Sequence, residues 1–414
     1  DDLTDSETET VASFAAGLAA TPVAPTIREH RLGRLLRTRR THRGSPGVSL
    51  QSFGDTALER RMVMRSAREL DRLSEFDGDL SSATVPSLVD RPVSPTQIEQ
   101  WASCPHGYFM TYLLGVRPVD EPDTQISITA LDRGLVQHEA LDRLHHDVIE
   151  GRLPQPTTTG WTDEHRAALL AHFDDVCTRY ESSGRTGRPA TWAGERARMR
   201  TDLLGWFERD SERSRAWGVT SLDSEHRFPA DDGSDRPTEV TLPLPDGRRL
   251  PVRGSIDRLD RTHDGTLVVT DHKTGKDDAY RKLSADDPTL GGTRFQLATY
   301  AAAASARFGG APDDADAVRV RSEYSMFARG KYRRIGYDTS PEVWRTIEHE
   351  LGEVVAAIEA GWFPQVPERP GFRLWPSCLF CEPDGLGTAE AWARWAAKRH
   401  DPRIARWFGD DEDG

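Results

Sequence analysis

The chain has 414 residues and a formal net charge of −13. Charged residues make up 29% of it and no run of 18 apolar residues occurs, so the sequence excludes a membrane-spanning protein and predicts a soluble globular chain of two or three lobes. Four cysteines are too few for a disulfide scaffold and favour a reducing, cytoplasmic compartment. The first residues lack a signal-peptide pattern, and because no Met opens the chain we expect a piece of a longer protein.

Residues 1–90 are predicted to form a helical arm followed by a linker. A helix is expected to begin near Ser6, and another is expected over 55–74. Between them, residues 28–43 hold seven arginines. This basic stretch fits a contact with a DNA backbone or a basic arm, and the alternatives are a solvated helix or a docking surface for a missing neighbour.

Two helices are predicted in the next part of the chain. Ser94 caps the first, with Pro95 in its first turn, and this helix ends at Cys104. The second covers 129–150 and is amphipathic. Its inward face is predicted to hold Leu131, Leu135, His138, Leu141 and Leu144.

A helical insertion is predicted over 151–220. Its two helices are expected over 162–183 and 193–215. Three large or reactive side chains are expected to be buried in it, Cys177, Trp192 and Trp206. Nothing in the composition of the insertion itself indicates a ligand.

Two neighbouring strands carry the most informative polar residues of the chain. They are predicted over 249–260 and 267–273, joined by an Asp-Gly hairpin turn. The hairpin brings Asp257 and Asp271 side by side. Because alternate residues of a strand share a face, Lys273 points the same way as Asp271.

Two carboxylates and an ammonium group at one place suit a hard divalent cation whose remaining ligands are water and a phosphate. The lysine can orient or deprotonate the attacking water, or stabilise charge on the phosphate. Its identity is informative because the chain has only five lysines against 49 arginines. A compact ammonium that shifts its pKa readily suits this position, whereas a guanidinium does not. A surface charge pair is the alternative interpretation of Asp-x-Lys.

The remaining elements complete a mixed sheet flanked by helices. Further strands are predicted at 224–228, 239–244 and 318–326, the last with a hairpin partner after Gly330. Further helices are predicted at 293–307, 341–360 and 388–400. The acidic end, 410–414, is predicted to be disordered.

Over residues 91–400 the sequence resembles the RecB-like branch of the PD-(D/E)XK nucleases, found in AddB and RecB helicase–nucleases. Five motifs carry the resemblance in the family's order: Gly134-x-x-x-His138, Glu225, Asp257, Asp271-His-Lys273 and Gln296-x-x-x-Tyr300. The resemblance implies an α/β fold with a restriction-endonuclease-like core, which carries a helical insertion and helical N- and C-terminal extensions.

The same resemblance implies the residues that hold Mg²⁺ or Mn²⁺. These are His138, Asp257, Asp271 and the backbone carbonyl of His272. Apart from the resemblance, Glu139 is a weaker candidate because it is adjacent to His138 on the predicted helix. Lys273 would position or deprotonate the nucleophile. Gln296 and Tyr300 would hold either the lysine or the scissile strand.

The resemblance also implies an iron–sulfur cluster. Cys104, Cys378 and Cys381 match three of its four cysteine ligands, but Gly387 stands at the position of the last. The fourth ligand would then be Asp384 or His106. We expect a [4Fe-4S] cluster ahead of zinc on the same ligands, and the remaining alternative is that these cysteines only pack as small apolar residues.

The function implied is a Mg²⁺- or Mn²⁺-dependent deoxyribonuclease, expected to be an exonuclease on single strands or duplex ends with little sequence preference, in recombination and repair. The alternative is a catalytically silent DNA-binding scaffold that serves a helicase. A third interpretation is a cysteine–metal module whose role is chiefly structural. No Gly-x-x-x-x-Gly-Lys-Ser/Thr loop occurs, so unwinding would need a helicase subunit or a helicase domain of a longer chain.

Four regions are therefore expected along the chain. They are the arm (1–90), a segment bearing Cys104 (91–130), the nuclease core with its insertion (131–365), and a C-terminal segment with the cysteine pair and acidic tail (366–414).

Overall fold

The computed structural model describes residues 10–41, 56–117, 126–229, 239–308, 318–328, 330–367, 380–381 and 388–409. The chain divides into two compact units, residues 1–68 and 69–414. Several predictions lie outside the described residues: the helix start at Ser6, the positions of Cys378, Asp384 and Gly387, and the acidic tail.

The described residues of the first unit form three helices. They are α1 (Phe14–Ala20), α2 (Ile27–Thr41) and α3 (Thr56–Arg68). Ser13 caps α1 by accepting a hydrogen bond from the N–H of Ala16. The helix α2 covers most of the arginine-rich stretch, and α3 ends six residues before the predicted end at Ser74.

The second unit contains seven strands and nine named α-helices in its described residues. The strands are β1 (Thr220–Phe228), β2 (Thr241–Pro243), β3 (Arg249–Pro251), β4 (Gly254–Arg261), β5 (Leu267–Lys273), β6 (Val320–Ala328) and β7 (Lys331–Asp338). The helices are α4 (Pro95–Ser103), α5 (Pro105–Tyr108), α6 (Ala130–Ile149), α7 (Asp163–Ser182), α8 (Pro189–Trp217), α9 (Gln296–Phe308), α10 (Pro341–Glu359), α11 (Ala389–Ala396) and α12 (Ala405–Phe408).

A five-stranded mixed sheet in the order β1-β4-β5-β6-β7 forms the centre of this unit. Of its four strand pairs, β5–β6 is parallel and the other three are antiparallel. Helix α9 connects these two strands, and a parallel pair requires such a crossover. Six of the seven residues of β5 are buried, as expected for a central strand covered on both faces.

Helices cover both faces of the sheet and give it two apolar cores. On one face, the alanine-rich α9 packs on β4, β5 and β6, together with α4 and α10. On the other face, α6 contacts β1 and β4 while α8 contacts β6 and β7. The predicted burial of Cys177, Trp192 and Trp206 in the insertion is confirmed. This is the α/β architecture predicted from the sequence.

The strand predicted over 249–260 is in fact two strands. β3 pairs with β2 in a separate two-stranded sheet, and only β4 joins the main sheet. The break falls at residues 252–253. The N–H of Val252 still donates to the carbonyl of Val240 in the small sheet, and Val93 donates to the carbonyl of Pro251 and accepts from the N–H of Arg253. The prediction was wrong here because residues 251–253 pair with Val93, a distant part of the chain, and not with the main sheet. The predicted strand at 239–244 accordingly lies outside the main sheet.

The predicted inward face of α6 is also wrong in part. Leu141 and Leu144 are buried, but Leu131 and Leu135 are 71% and 43% exposed. The buried line of the helix runs through Val136, Ala140, Leu141, Leu144 and Val148. With 3.6 residues per turn, the two exposed leucines lie roughly opposite that line, on the same side of the helix as His138.

Buried ion pairs fix the insertion helix α8 to the sheet. Asp210 on α8 accepts a 2.6 Å hydrogen bond from Arg258 on β4, and Arg258 also pairs with Asp260 at 2.8 Å. Arg213 on α8 contacts the fully buried Glu323 of β6 at 3.2 Å. Because these charges are paired and hydrogen-bonded, the sheet tolerates them in its interior.

No described helix is long and apolar enough to cross a membrane.

Candidate active site

Two carboxylates and a lysine meet where β4 and β5 lie side by side. Arg258 pairs with Thr270, so Asp257 and Asp271 are the next residues along the two strands. The backbone N–H of His272 donates a 2.6 Å hydrogen bond to Oδ2 of Asp257. Asp271 and Lys273 share a face of β5, and their charged groups are 2.7 Å apart. The predicted convergence of these side chains is present.

Two further side chains approach Asp257. Ligand atoms of His138, Glu225 and Asp257 all lie within 4.8 Å of one another. Nδ1 of His138 is 3.4 Å from Oδ2 of Asp257. Glu225 lies between the register pairs Ser224–Arg258 and His226–Ile256, which puts it opposite Asp257. One imidazole and two carboxylates form a donor set suited to a divalent cation.

The backbone of β1 is distorted at Glu225. This residue has a φ of +47°, in the left-handed region that non-glycine residues rarely adopt. The Oγ of Ser255 donates a 2.9 Å hydrogen bond to its carboxylate. Unusual backbone conformations of this kind occur most often at functional sites. The sequence signal for Glu225 was its match to the family's strand glutamate, but the predicted ligand set omitted it.

The acidic groups of the site perturb one another. Burial and the nearby Asp271 raise the pKa of Asp257 well above its usual range. Burial also raises the pKa of Glu225, although the hydrogen bond from Ser255 opposes the change. Burial lowers the pKa of His138, which favours the neutral imidazole that binds metals. A divalent cation would offset the repulsion among these carboxylates, so the residues present fit one.

Lys273 is held by a chain of hydrogen bonds that ends on α9. Its Nζ donates a 2.9 Å bond to Oε1 of Gln296, and Nε2 of Gln296 donates a 2.9 Å bond to the hydroxyl of Tyr300. Burial lowers the pKa of Lys273, but the Asp271 carboxylate outweighs burial and raises it overall. Of the two roles expected for Gln296 and Tyr300, contact with the lysine is the one visible in this arrangement.

Two other side chains near the site point elsewhere. Glu139 accepts hydrogen bonds from Arg143, at 2.8 Å, and from Arg179, so it faces α7. The ring of His272 is buried on the face of β5 opposite Asp271, with its centroid 5.7 Å from that of Trp206 and 6.0 Å from that of His138. His272 therefore contacts Asp257 through its backbone N–H, while its imidazole packs edge-on against His138. Metal binding by its carbonyl remains a prediction.

The cysteine segments meet at one stretch of chain. The Sγ of Cys104 accepts a 3.2 Å hydrogen bond from the N–H of Gly107, at the start of α5. The N–H of His106 donates to the carbonyl of Pro364, and the side chain of Gln365 donates to the carbonyl of Cys381. Residues 364–365 thus join the two segments. The other expected ligands, at 378 and 384, lie outside the described residues.

Two cavities lie against the end of β5, and we call them together the basic groove. Their volumes are about 670 and 680 Å³. They share Arg133, Thr274 and Ala328, so they are adjacent, and Thr274 follows Lys273 directly. The second cavity is lined by five basic residues, Arg133, Lys276, Arg281, Lys331 and Arg333, against two acidic ones. This local excess of positive charge contrasts with the acidic chain as a whole.

A mixed sheet with carboxylates and a lysine on its inner strands β4 and β5, and with helices on both faces, defines a restriction-endonuclease-like nuclease core. The sequence profile of the PD-(D/E)XK nuclease superfamily matches residues 92–384, and the chain belongs to this superfamily. Members are nucleases that use divalent metals, so membership implies a metal-dependent nuclease. A comparison with curated proteins gives no significant match.

Proposed function

We propose that the chain is a Mg²⁺- or Mn²⁺-dependent deoxyribonuclease of the RecB-like type, acting as an exonuclease in recombination and repair. The observation that carries the proposal is the meeting of Asp257, Asp271 and Lys273 beside His138 and Glu225. The RecB-like subtype, the exonuclease mode and a helicase partner rest on the motif resemblance alone.

The metal ligands are proposed to be His138, Glu225 and Asp257, together with Asp271 and the backbone carbonyl of His272. When bound, the cation supplies an activated water and polarises a phosphoryl oxygen. Asp257 is kept in place by the N–H of His272. The oxygen and nitrogen atoms that could bind the metal therefore lie on the helix α6 and on the neighbouring strands β1, β4 and β5.

Lys273 is proposed to bind the reacting phosphate or the attacking water. Its ammonium form is favoured by Asp271, and Gln296 restricts where the group can point. An oriented positive charge in a partly buried site stabilises negative charge that develops on the phosphate. The hydroxyl of Tyr300 accepts a hydrogen bond from the side-chain amide of Gln296 and so fixes the orientation of that amide.

The substrate strand is proposed to run along the basic groove. Lys276 and Lys331 line it and are exposed, and four of the five lysines in the chain fall between residues 273 and 331. Contacts between such side chains and phosphates fix the position of a strand without reading its sequence. Little sequence preference and strong salt dependence are therefore expected.

We also propose a metal centre at the cysteine segments, a [4Fe-4S] cluster ahead of zinc. Cys104 and Cys381 are both buried, and residues 364–365 are hydrogen-bonded to His106, two residues after Cys104, and to Cys381. A cluster that tied these segments together would brace α4 against the C-terminal segment. Its remaining ligands are proposed to be Cys378 and either Asp384 or His106.

The nuclease proposal is tested with end-labelled single- and double-stranded DNA. Cleavage is followed with Mg²⁺ or Mn²⁺, with EDTA, and with the Asp271→Ala protein. Metal-dependent cleavage that the variant lacks supports a nuclease, and mononucleotide or short products from the labelled end support the exonuclease mode. A folded wild-type protein that binds DNA without cleaving it would instead favour the silent scaffold.

A further inference from the structure

Glu99 caps the first turn of α9, although it belongs to a different helix. It lies on α4, and its Oε1 accepts hydrogen bonds from the N–H groups of Phe295, at 2.7 Å, and Gln296, at 2.9 Å. The carbonyl of Phe295 accepts from Thr299, so these two N–H groups open α9. The first N–H groups of a helix have no partner within it and favour a nearby negative charge.

Gln296, whose backbone N–H is capped by Glu99, is also the residue whose side chain contacts Lys273. Gln296 receives Glu99 at its backbone, while its side chain accepts from Lys273 and donates to Tyr300. A single carboxylate on α4 therefore sets the position of the amide that contacts Nζ of Lys273. Among the described residues, Glu99 does not belong to the group of candidate metal ligands. Its hydrogen-bonded link to the site runs through Gln296, and its negative charge also interacts directly with Lys273.

Helix α4 is itself anchored on its other side. The indole N–H of Trp101 donates a 2.7 Å hydrogen bond to the carbonyl of Trp362, in the segment after α10. Trp101 is fully buried. The helix is thus a rigid support between the segment after α10 and the first turn of α9.

We propose that Glu99 is a positioning residue that orients Lys273 through Gln296. The expected loss of catalysis rests on the proposed nuclease function. The expected effect on the position of Lys273 rests on the geometry alone. A displacement of about 1 Å at a reacting group costs about 100-fold in rate, so loss of the cap would lower kcat far more than it changes KM.

The first test compares Glu99→Ala with Glu99→Gln. The glutamine retains an oxygen that accepts from both N–H groups, so we expect most of the rate to be rescued, whereas the alanine variant loses about 10- to 100-fold in kcat. The metal concentration for half-maximal cleavage stays unchanged in both. Ser340→Ala is the control: it removes the cap of α10, where Ser340 accepts from Val343, remote in sequence from the site.

A double-mutant cycle separates positioning from general stability. If Glu99 acts through Gln296, Glu99→Ala adds little to the kcat loss of Gln296→Ala, because both remove the same restraint. Losses that multiply in the double variant would overturn the proposal, as would a wild-type kcat in Glu99→Ala.

A second readout needs no activity. The rate at which an amine-selective reagent labels Lys273 is followed by mass spectrometry, which is practical with five lysines in the chain. We expect faster labelling of Lys273 in Glu99→Ala and in Gln296→Ala, with Lys282 unaffected in both. Unchanged labelling contradicts the proposal even if no cleavage is ever found, whereas faster labelling in an inactive protein leaves the positioning intact and removes only the nuclease function.

Discussion

Lys273 and Asp271 form a 2.7 Å ion pair on one face of β5, and the ammonium group also donates a hydrogen bond to Gln296 on α9. The pair puts the positive charge next to the carboxylates that would hold a cation. It also raises the pKa of Lys273, which favours the charged form. The ion pair thus connects the metal site to the hydrogen-bond chain on α9.

Lys273→Ala is expected to lower kcat for DNA cleavage by at least about 100-fold, the usual cost of losing an oriented group that stabilises developing charge. Single-turnover cleavage with saturating Mn²⁺ measures the effect, and thermal unfolding checks the fold. Lys282→Ala, at an exposed lysine, serves as the control. Equal rates for wild type and Lys273→Ala would remove the lysine from the mechanism.

Glu225→Gln is expected to raise the Mn²⁺ concentration needed for half-maximal cleavage. Loss of a partner that only orients a ligand typically costs 10- to 100-fold in metal affinity, and loss of a ligand should cost at least about as much. Glu139→Gln is the matched control, because that carboxylate pairs with Arg143 and Arg179 instead of facing the site. Titration calorimetry with Mn²⁺ measures the same difference without substrate. Equal affinities in the two variants would contradict the assignment of Glu225.

Local sequence patterns were sufficient to predict the centre of the fold. Alternation and an Asp-Gly turn gave the β4–β5 hairpin, and with it the pairing of Asp257 and Asp271. Helix periodicity placed Gln296 and Tyr300 on one side of α9, where they are hydrogen-bonded. These relationships depend on residues that are close in sequence or joined by one tight turn.

Contacts between distant parts of the chain were not predictable in this way. The capping of α9 by Glu99 joins residues almost 200 positions apart. The buried contacts of Glu323 depend on how α8 lies over the sheet, which no periodicity encodes. The strand predicted over 249–260 missed its break for the same reason, because residues 251–253 pair with Val93, far away in the sequence. Leu131 and Leu135 are apolar and were therefore expected on the buried face of α6. Only the packing of the helix shows that they are exposed.

Replacing Lys276 and Lys331 together with alanine is expected to weaken DNA binding without lowering kcat. On single strands each phosphate contact contributes about 0.7 to the slope of log K against log salt, so losing two should reduce that slope by about 1.4. Fluorescence anisotropy with a labelled oligonucleotide and Ca²⁺ in place of Mg²⁺ measures binding. Arg345→Ala, on the exposed side of α10, is the control. An unchanged slope would place the strand outside the basic groove.

Cys104→Ser and Cys381→Ser are expected to lose the iron or zinc that the wild-type protein carries after anaerobic purification. Cys177→Ser should keep it, since that thiol is buried in α7 and burial raises its pKa to about 12, which disfavours the thiolate that binds metals. Elemental analysis and visible absorbance distinguish iron–sulfur from zinc. A wild-type protein with neither metal would leave the cysteines as packing residues.

Glu323→Gln is expected to destabilise the protein at pH 7 by about 3–5 kcal/mol, the usual cost of removing one partner from a buried ion pair. Burial alone would raise the pKa of Glu323, but Arg334, Arg213 and Arg321 outweigh it and lower the pKa from 4.5 to about 2. A depressed pKa stabilises the fold fully above the unfolded-state value, and this stability is lost as pH falls towards 2. Urea unfolding between pH 7 and 3 should therefore show wild type and variant converging at low pH. Glu342→Gln, whose pair with Arg345 is exposed, should change stability little at any pH. A constant gap between wild type and Glu323→Gln across this range would contradict the charge-pair explanation.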